Sequence, residues 1–188
     1  IPPILVDRAL QRQIPIYTTY GMTELCSQLC TTPPNASTEI LRSAGFPLGD
    51  WIIWISDQSE ICVQGSPLFL GYWHGDHLED PRDPNGFFHT GDTGMMKEDR
   101  LYPIGRVDQM FISGGENIHP EEIEQILGSF ARTVIVVPVS NDRYGQRPIA
   151  FLGPPMIEED QMTSMQHALN RALPRFKHPD HFLPWPAE

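Results

Sequence analysis

The stretch GRVDQMFISGGENIHPEEIE, from Gly105 to Glu124, divides the sequence into two halves of different character. On its N-terminal side, short β-rich runs are separated by turn residues. On its C-terminal side, PEEIEQIL places apolar residues on one helical face and begins with a proline, which suits the first turn of a helix. This change predicts a boundary near Gly105 to Asp108, with residues 1–105 in one domain and residues 106–188 in the other.

The second half combines strands with helices. TVIVVPV and RPIAFLG are rich in the β-branched residues that favour strands. Helices are predicted from Pro120 and over Glu158 to Leu173, where apolar residues recur at helical spacing. The order of strand, helix, strand, strand and helix predicts a compact α+β lobe.

The first half is mainly β-rich. Ile4 to Gln13 carries a short helical stripe, and Ile14 to Thr19 is predicted to be a buried strand. Four further runs, WIIWIS, EICVQG, FLGYW and LYPIGR, are broken by Gly, Ser-Pro and Asp-Gln-Ser. Their spacing predicts a small antiparallel barrel or sheet. The two halves together predict an α+β fold.

Composition narrows the class of protein. The formal charge of -11, with only 13 Lys and Arg, argues against general binding to nucleic acid, whose phosphates attract clustered cations. No apolar run approaches the length of a membrane span. Cys26, Cys30 and Cys62 match no zinc spacing and indicate a reducing, cytoplasmic location. The N-terminus has neither an initiator Met nor a signal-peptide profile, so the chain is expected to be a piece of a longer protein.

The segment YGMTE, Tyr20 to Glu24, is the first candidate site. Tyr20 offers a ring, Gly21 permits a tight turn or a close ligand, Thr23 offers a hydroxyl and Glu24 offers a hard oxygen ligand. Together they suit a nucleotide phosphate with its magnesium ion. The alternative is a strand-to-loop turn in which Glu24 is solvated.

Two later segments offer further candidates. Asp92, in FHTGD, could accept hydrogen bonds from vicinal hydroxyls, or it could close a loop as an Asx-turn. Arg106 could bind a ligand through two donors or form a surface salt bridge. Gly114 and Gly115 could be functional or a tight turn, and Glu116 a solvated acid.

Other candidates are weaker. His74 and His77, in WHGDH, are predicted to be solvated imidazoles on a loop rather than metal ligands. Cys26 and Cys30 are predicted to line the core.

The order of five segments carries more information than any one of them. YGMTE, EICVQGSPLFLGYW, FHTGD, GRVDQMFISGGENIHPEEIE and RFKHP occur in this order over nearly the whole chain. In this the chain resembles the C-terminal part of the AMP-forming acyl-CoA synthetases of the adenylate-forming superfamily. GMTELCSQLCTT and VPVSNDRYGQRPIAFL are most like the branch that acts on 2-succinylbenzoate in menaquinone biosynthesis.

The resemblance implies a two-step reaction. A carboxylate attacks the α-phosphate of ATP to give an acyl-adenylate and pyrophosphate, and the thiol of coenzyme A then displaces AMP. Thr23 would hold the α-phosphate, and Glu24 would bind the magnesium ion. The cofactors implied are ATP or AMP, Mg²⁺ and coenzyme A.

The resemblance also assigns roles around the nucleotide and at the boundary. Tyr20 and Gly21 would flank the adenine, and Asp92 and Arg106 would take the ribose hydroxyls. Asp108 falls at the hinge about which the small lobe rotates between the two steps. Gly114 and Gly115 would line the path of the pantetheine arm.

The chain departs from the family pattern at two positions, to which no role is assigned. Ile112 replaces a common Lys, and Ser59-Glu60 stands where Gly-Glu is usual. The family's Gly-rich phosphate loop and its catalytic lysine are expected outside these 188 residues, and Lys177 matches a different family position. The isolated chain is therefore expected to be nearly inactive.

Two other functions remain open at this point. One is an adenylation enzyme for another carboxylate or for a carrier protein. The other is a non-catalytic binding module.

Overall fold

The computed structural model describes residues 3–154 and 159–186. They form two compact units, Pro3–Val107 and a second unit that begins at Asp108. Within the described ranges, no helix is long and apolar enough to cross a membrane.

The first unit is built on a four-stranded antiparallel sheet in the order β4-β5-β8-β9. Its strands are β4 (Ile52–Ile55), β5 (Glu60–Gln64), β8 (Phe88–Lys97) and β9 (Arg100–Arg106). The register of β8 is irregular on both sides, between Glu60 and Cys62 of β5 and between Thr93 and Gly94 of β8 itself. Such bulges increase strand twist, and they curl this sheet into part of a barrel.

Smaller elements surround this sheet. They are α1 (Pro3–Gln11), β1 (Thr19–Tyr20), β2 (Cys30–Thr31), α2 (Thr38–Leu41), β3 (Phe46–Pro47), and the hairpin of β6 (Tyr72–His74) and β7 (His77–Glu79). The strands β1, β2 and β3 form a separate three-stranded sheet. One hydrophobic cluster underlies the unit and includes Leu25, Leu29, Ile61, Val63 and Leu101, all at most 1% exposed.

The predicted buried strand over Ile14 to Thr19 is wrong in extent and burial. Only Thr19 and Tyr20 pair with another strand, while Ile14 is 48% exposed and Tyr17 is 52% exposed. β-branched and aromatic residues form a strand only where a partner exists, and Pro15 cannot donate to a ladder.

The second unit confirms the predicted α+β lobe. Its elements are β10 (Phe111–Ser113), β11 (Glu116–Ile118), α3 (Pro120–Leu127), β12 (Val134–Asn141), β13 (Gly145–Leu152), α4 (Glu159–Ala172) and β14 (His181–Pro184). Strand β13 pairs antiparallel with β12 and parallel with β14. The helix predicted over 158–173 is observed as α4, and residue 158 lies outside the described ranges.

Helix α3 begins at Pro120, whose missing N–H costs nothing in the first turn, and Glu121 and Glu122 favour the same end electrostatically. Ile123 and Leu127 of this helix are fully buried. They pack in one core with Ile118, Met165 and Leu169.

Candidate functional site

Three predicted site residues meet in the first unit. The Tyr20 hydroxyl donates to Asp92 Oδ2 at 2.7 Å, and Arg106 Nη1 donates to Asp92 Oδ1 at 3.0 Å. We call Tyr20, Asp92 and Arg106 the Asp92 cluster. It joins residues 72 positions apart in the chain and places a carboxylate between a phenol and a guanidinium.

Strand pairing positions this cluster. Asp92 on β8 lies directly opposite Arg106 on β9. The Thr90 hydroxyl donates to the Ile61 carbonyl at 2.8 Å and accepts from the Asp92 N–H at 3.1 Å, which fixes the backbone before the carboxylate. Gly91 has φ +70°, and a Cβ there would lie 3.3 Å from Arg106 Nη2. Glycine therefore provides both the turn and the room for the guanidinium.

The Tyr20 side chain is largely withdrawn from water. Burial raises the pKa of its phenol above the usual value, and the hydrogen bond to Asp92 raises it further. Tyr20 therefore stays protonated and acts as a hydrogen-bond donor to the carboxylate.

Thr23 and Glu24 lie in the next turn, a short 3₁₀ helix over Thr23–Leu25. This turn folds back so closely that a Cβ on Gly21 would lie 1.7 Å from the Ser27 carbonyl oxygen. Glu24 Oε1 accepts from the Tyr72 hydroxyl at 3.1 Å. Among the described residues, this is the one side-chain hydrogen bond to that carboxylate, and Thr23 is exposed.

The structure therefore brings part of the predicted site together. Tyr20, Asp92 and Arg106 are in direct contact, and Gly21 follows Tyr20. Glu24 bonds to Tyr72 rather than to the Asp92 cluster.

The remaining predicted residues belong to the second unit. Asp108 is its first residue. Gly114 and Gly115, at φ +61° and +89°, form the two-residue turn between β10 and β11, in which Ser113 pairs with Glu116. Two consecutive positive φ angles favour glycine strongly, which accounts for this pair as a tight turn.

The loop-closing alternative for Asp92 and two local expectations are wrong. Asp92 does not close a loop, since it lies within β8. His74 and His77 lie on the paired strands β6 and β7 rather than on a loop, and His74 Nε2 contacts Glu79 Oε2 at 2.8 Å. Cys26 is exposed in a left-handed turn, whereas Cys30 is buried as expected.

Sequence reasoning missed one cluster entirely. Glu60, Cys62 and His89 place a carboxylate oxygen, a sulfur and a ring nitrogen within 4.8 Å of one another. The residues meet through the pairing of β5 with β8, so Cys62 and His89 are neighbours despite a separation of 27 positions. No spacing within the sequence signals such a contact.

Comparison with known sequences is informative over almost the whole chain. No protein-family model matches it. The chain is 35% identical over 190 residues to the 2-succinylbenzoate–CoA ligase of Haemophilus influenzae, covering 99% of this chain and 41% of the relative. It is 33% identical over 192 residues to the ligase of the same name from Bacillus cereus strain ATCC 10987, with 95% and 39% covered. The chain thus spans about two fifths of the curated relatives it matches.

Solved structures of CoA ligases and synthetases also match almost the whole chain. The o-succinylbenzoate-CoA synthetase of Bacillus subtilis in complex with its acyl-adenylate intermediate matches with a TM-score of 0.84 at 30% identity, covering 98% of this chain and 40% of that one. The same synthetase in complex with ATP and magnesium ion matches with a TM-score of 0.80 at 29% identity, covering 98% and 41%. An anthranilate CoA ligase bound to anthranoyl-AMP shares the fold, with a TM-score of 0.82 at 18% identity over 98% of this chain and 39% of that one.

Proposed function

Because the chain corresponds to the C-terminal part of the AMP-forming acyl-CoA synthetases, and is similar to the 2-succinylbenzoate–CoA ligases among them, we propose that the protein carrying it is such a ligase. It joins 2-succinylbenzoate to coenzyme A at the expense of ATP, a step of menaquinone biosynthesis. The single observation in this structure that supports the proposal is the Asp92 cluster, whose Tyr20 comes three residues before the turn that carries Thr23 and Glu24.

The chemistry proceeds in two displacements. The substrate carboxylate attacks the α-phosphorus of ATP, the bond to pyrophosphate breaks, and an acyl-adenylate forms. The thiol of coenzyme A then attacks the acyl carbon, and AMP leaves. Negative charge develops on the phosphate in the first step and on the acyl oxygen in the second, so fixed positive groups and hydrogen-bond donors lower both barriers.

The Asp92 cluster suits a ribose diol. Each oxygen of Asp92 already accepts one hydrogen bond, from Arg106 or from Tyr20. A carboxylate has about four acceptor positions, so both oxygens can still accept from vicinal hydroxyls. The Arg106 side chain is 42% exposed, which leaves donors of its guanidinium accessible to a bound nucleotide.

The Thr23–Glu24 turn suits the phosphates. The exposed Thr23 hydroxyl can donate to an α-phosphate oxygen. Glu24 keeps one carboxylate oxygen clear of the Tyr72 hydrogen bond, which fits a Mg²⁺ ion that takes one or two protein carboxylates along with phosphate and water. When bound, that ion neutralises charge on the phosphates.

We propose that the second unit, from Asp108, is the small mobile lobe and that the first unit is the end of the large adenylating domain, a division two residues after the one predicted between residues 105 and 106. Asp108 would be the hinge. Gly114 and Gly115 would border the pantetheine path. A Cβ on Gly115 would meet no atom within 4 Å, which leaves space for a narrow ligand, whereas the Tyr144 ring lies 3.0 Å from the same position on Gly114. Three free cysteines suit a reducing compartment, and we place the enzyme in the cytoplasm.

The fold does not select the carboxylate, since the anthranilate ligase shares it at 18% identity. The choice of 2-succinylbenzoate is supported by the sequence relatives and by the solved o-succinylbenzoate-CoA synthetase at 30% identity. The substrate must therefore be tested directly, on the whole protein that contains this chain.

The test is an assay with ATP, Mg²⁺, coenzyme A and a panel of 2-succinylbenzoate, benzoate, anthranilate and succinate. We expect thioester formation with 2-succinylbenzoate at the highest kcat/KM. Adenylate formation without a coenzyme A thioester would indicate a carrier-protein acceptor, and a complete lack of pyrophosphate exchange would indicate a binding module. Either outcome overturns the proposal.

The variant Glu24→Gln tests the proposed role of this carboxylate at the phosphates. Loss of one electrostatic contact to the reacting phosphate should lower kcat/KM about 100-fold or more. Asp76→Asn, at the fully exposed tip of the β6–β7 hairpin, is the control and should leave kcat/KM unchanged.

A further inference from the structure

A second group of chemically active side chains lies outside the Asp92 cluster, on strands β5 and β8. Cys62 Sγ is 3.5 Å from His89 Nδ1, and the same nitrogen is 2.9 Å from Glu60 Oε2. We call Glu60, Cys62 and His89 the Cys62 cluster. It brings a thiol, an imidazole nitrogen and a carboxylate to a common point.

The fold holds these groups on one face of the sheet. Ile61 and Val63 point into the hydrophobic core of the first unit, so Cys62 between them points to the opposite face. Cys62 is fully buried and directly opposite His89. His89 and Glu60 retain 41% and 19% side-chain exposure, so the cluster is open to small solutes from the His89 side.

Further hydrogen bonds orient the cluster. Glu60 Oε1 accepts from the Gly91 N–H at 3.0 Å, which turns the other oxygen toward His89. The far side of the imidazole faces Asp83, whose Oδ2 lies 3.7 Å from His89 Nε2. Asp83 is itself held by the N–H groups of Asn85 and Phe87, at 2.9 and 2.8 Å.

This arrangement matches the surroundings of metal-bound histidines. Such a histidine coordinates through one nitrogen and donates its other N–H to a carboxylate, which fixes its tautomer and orientation. Without a cation, Nδ1 carries the proton and donates to Glu60 Oε2, because a carboxylate only accepts. A cation bound to Nδ1 would shift that proton to Nε2, which faces Asp83. The register of β5 and β8 places Cys62 Sγ against the same nitrogen, so all three groups lie within reach of one cation.

Two of the three ligand separations are close to those of a tetrahedral zinc ion, and the third, between Cys62 Sγ and a Glu60 oxygen, is within 4.8 Å. Bonds of about 2.3 Å to sulfur and about 2.1 Å to nitrogen, at a tetrahedral angle, separate the two ligand atoms by about 3.6 Å. The observed separation of Sγ and Nδ1 is 3.5 Å. The nitrogen and the Glu60 oxygen, now at 2.9 Å, would move apart by about half an ångström to reach tetrahedral spacing.

We propose that Glu60, Cys62 and His89 form a binding site for a divalent cation of the zinc class, with Asp83 orienting His89 and water in the fourth position. The thiol proton is released to solvent as the metal–sulfur bond forms. Thiolate and imidazole ligands select zinc-like ions over magnesium, which prefers oxygen. The site is therefore distinct from the magnesium position proposed at Glu24.

The test uses the 188-residue chain, freed of metal by a chelator and titrated calorimetrically with Zn²⁺ alone. We expect one equivalent to bind in the presence of millimolar Mg²⁺. Titration with Co²⁺ should give a thiolate-to-cobalt absorption band. Cys62→Ser should abolish that band and weaken Zn²⁺ binding at least 100-fold, and Asp83→Asn should weaken it about 10- to 100-fold.

Controls separate this site from other thiols and imidazoles. Cys26→Ser removes the exposed cysteine and His77→Gln removes a histidine of the hairpin, and both should leave Zn²⁺ affinity and the Co²⁺ band unchanged. If circular dichroism shows that Cys62→Ser does not fold, the Zn²⁺ titration is done instead with His89→Gln, at a partly exposed position. Failure of the unaltered chain to bind Zn²⁺, or binding unaffected by His89→Gln, overturns the proposal.

Discussion

Each unit contains a prominent arginine paired with an aspartate, and the two pairs differ in what they connect. In the first unit, Asp92 and Arg106 lie opposite each other on strands that backbone hydrogen bonds already join. In the second unit, Arg147 of β13 donates to Asp180 at 2.7 and 3.0 Å and to the carbonyls of Phe176 and His178 at 2.5 and 3.1 Å. Arg147 thus attaches β13 to the irregular segment before β14.

The difference separates a structural ion pair from one available to a ligand. Removing Arg147 would leave several acceptors without donors, and its side chain is only 13% exposed. Removing the Asp92 charge leaves the strand pairing intact, and the Arg106 guanidinium is 42% exposed. Arg106, whose guanidinium solvent can reach and whose aspartate partner lies on an already paired strand, is the arginine better suited to binding a ligand.

The largest effect is expected from Arg147→Met. Loss of its charge-assisted hydrogen bonds should lower the free energy of unfolding of the second unit by about 3 kcal/mol. Chemical denaturation followed by circular dichroism measures this change. AMP affinity of the chain should stay the same, because the substitution lies outside the Asp92 cluster.

Arg143→Met is the matched control for that prediction. Arg143 is an exposed arginine that stacks 5.1 Å from the Tyr144 ring, and its loss should cost no more than about 0.5 kcal/mol. Equal destabilisation by the two variants would show that Arg147 does not hold the segment before β14 in place.

Asp92→Asn should have the opposite effects, weakening AMP binding and leaving stability nearly unchanged. We expect AMP binding to the chain to weaken about 30-fold, or about 2 kcal/mol, because the amide loses its charge and part of its acceptor capacity. Stability should change by less than about 1 kcal/mol, because β8 and β9 remain paired. Calorimetric titration with AMP and denaturation measure the two quantities. A large loss of stability with unchanged AMP affinity would make the Asp92 cluster structural.

A smaller effect, of opposite sign, is expected at the turn between β4 and β5. Ser59 has φ +63°, in the left-handed region that glycine adopts without strain. Ser59→Gly should therefore raise the stability of the first unit by about 0.5–1 kcal/mol, whereas Ser59→Ala should give no gain. An increased thermal midpoint with unchanged AMP affinity would show that, within this unit, stability and AMP binding depend on different residues.

The smallest expected effect is a pH dependence in the second unit. Burial raises the pKa of Glu124, although the Val136 N–H donates to its Oε1 at 2.8 Å. A raised folded-state pKa lowers stability at neutral pH, and this penalty disappears as pH falls through that pKa. Glu124→Gln, which keeps an acceptor, should be more stable than the parent at pH 7 by less than about 1 kcal/mol.

Denaturation series at pH 7 and at pH 4 check this prediction. The difference between Glu124→Gln and the parent should vanish at the lower pH. The Glu116→Gln variant, at an exposed position, serves as the control substitution.

The sequence predicted those elements whose pattern is local. Helix α3 follows from Pro120 and the spacing of Ile123 and Leu127, and β12 and β13 follow from runs of β-branched residues. Ile14 to Thr19 has the same composition as a strand, but strand formation there depends on a partner that the local sequence does not reveal.

The same distinction between local pattern and long-range contact applies to the candidate site. Residue types at Tyr20, Asp92 and Arg106 marked them as candidates. Their contact depends on the register of β8 with β9 and on a hydrogen bond from Tyr20, 72 positions away, and neither is visible in the local sequence. The Cys62 cluster carried no signal, because Cys62 and His89 meet only through the register of β5 and β8. Ser59 was noted only as a departure from the usual glycine, and its positive φ was not predicted, since φ is set by the hairpin rather than by the serine.

Strand β8 carries His89 of the Cys62 cluster and Asp92 of the Asp92 cluster. Its pairing is irregular with both neighbouring strands, β5 and β9. An added or deleted residue between His89 and Asp92 would move alternate side chains to the opposite face and dismantle both clusters together. Evolution should therefore accept almost no length variation along this strand. Near Gly75, at the tip of the β6–β7 hairpin, where a Cβ would have no atom within 4 Å, insertions should be freely accepted.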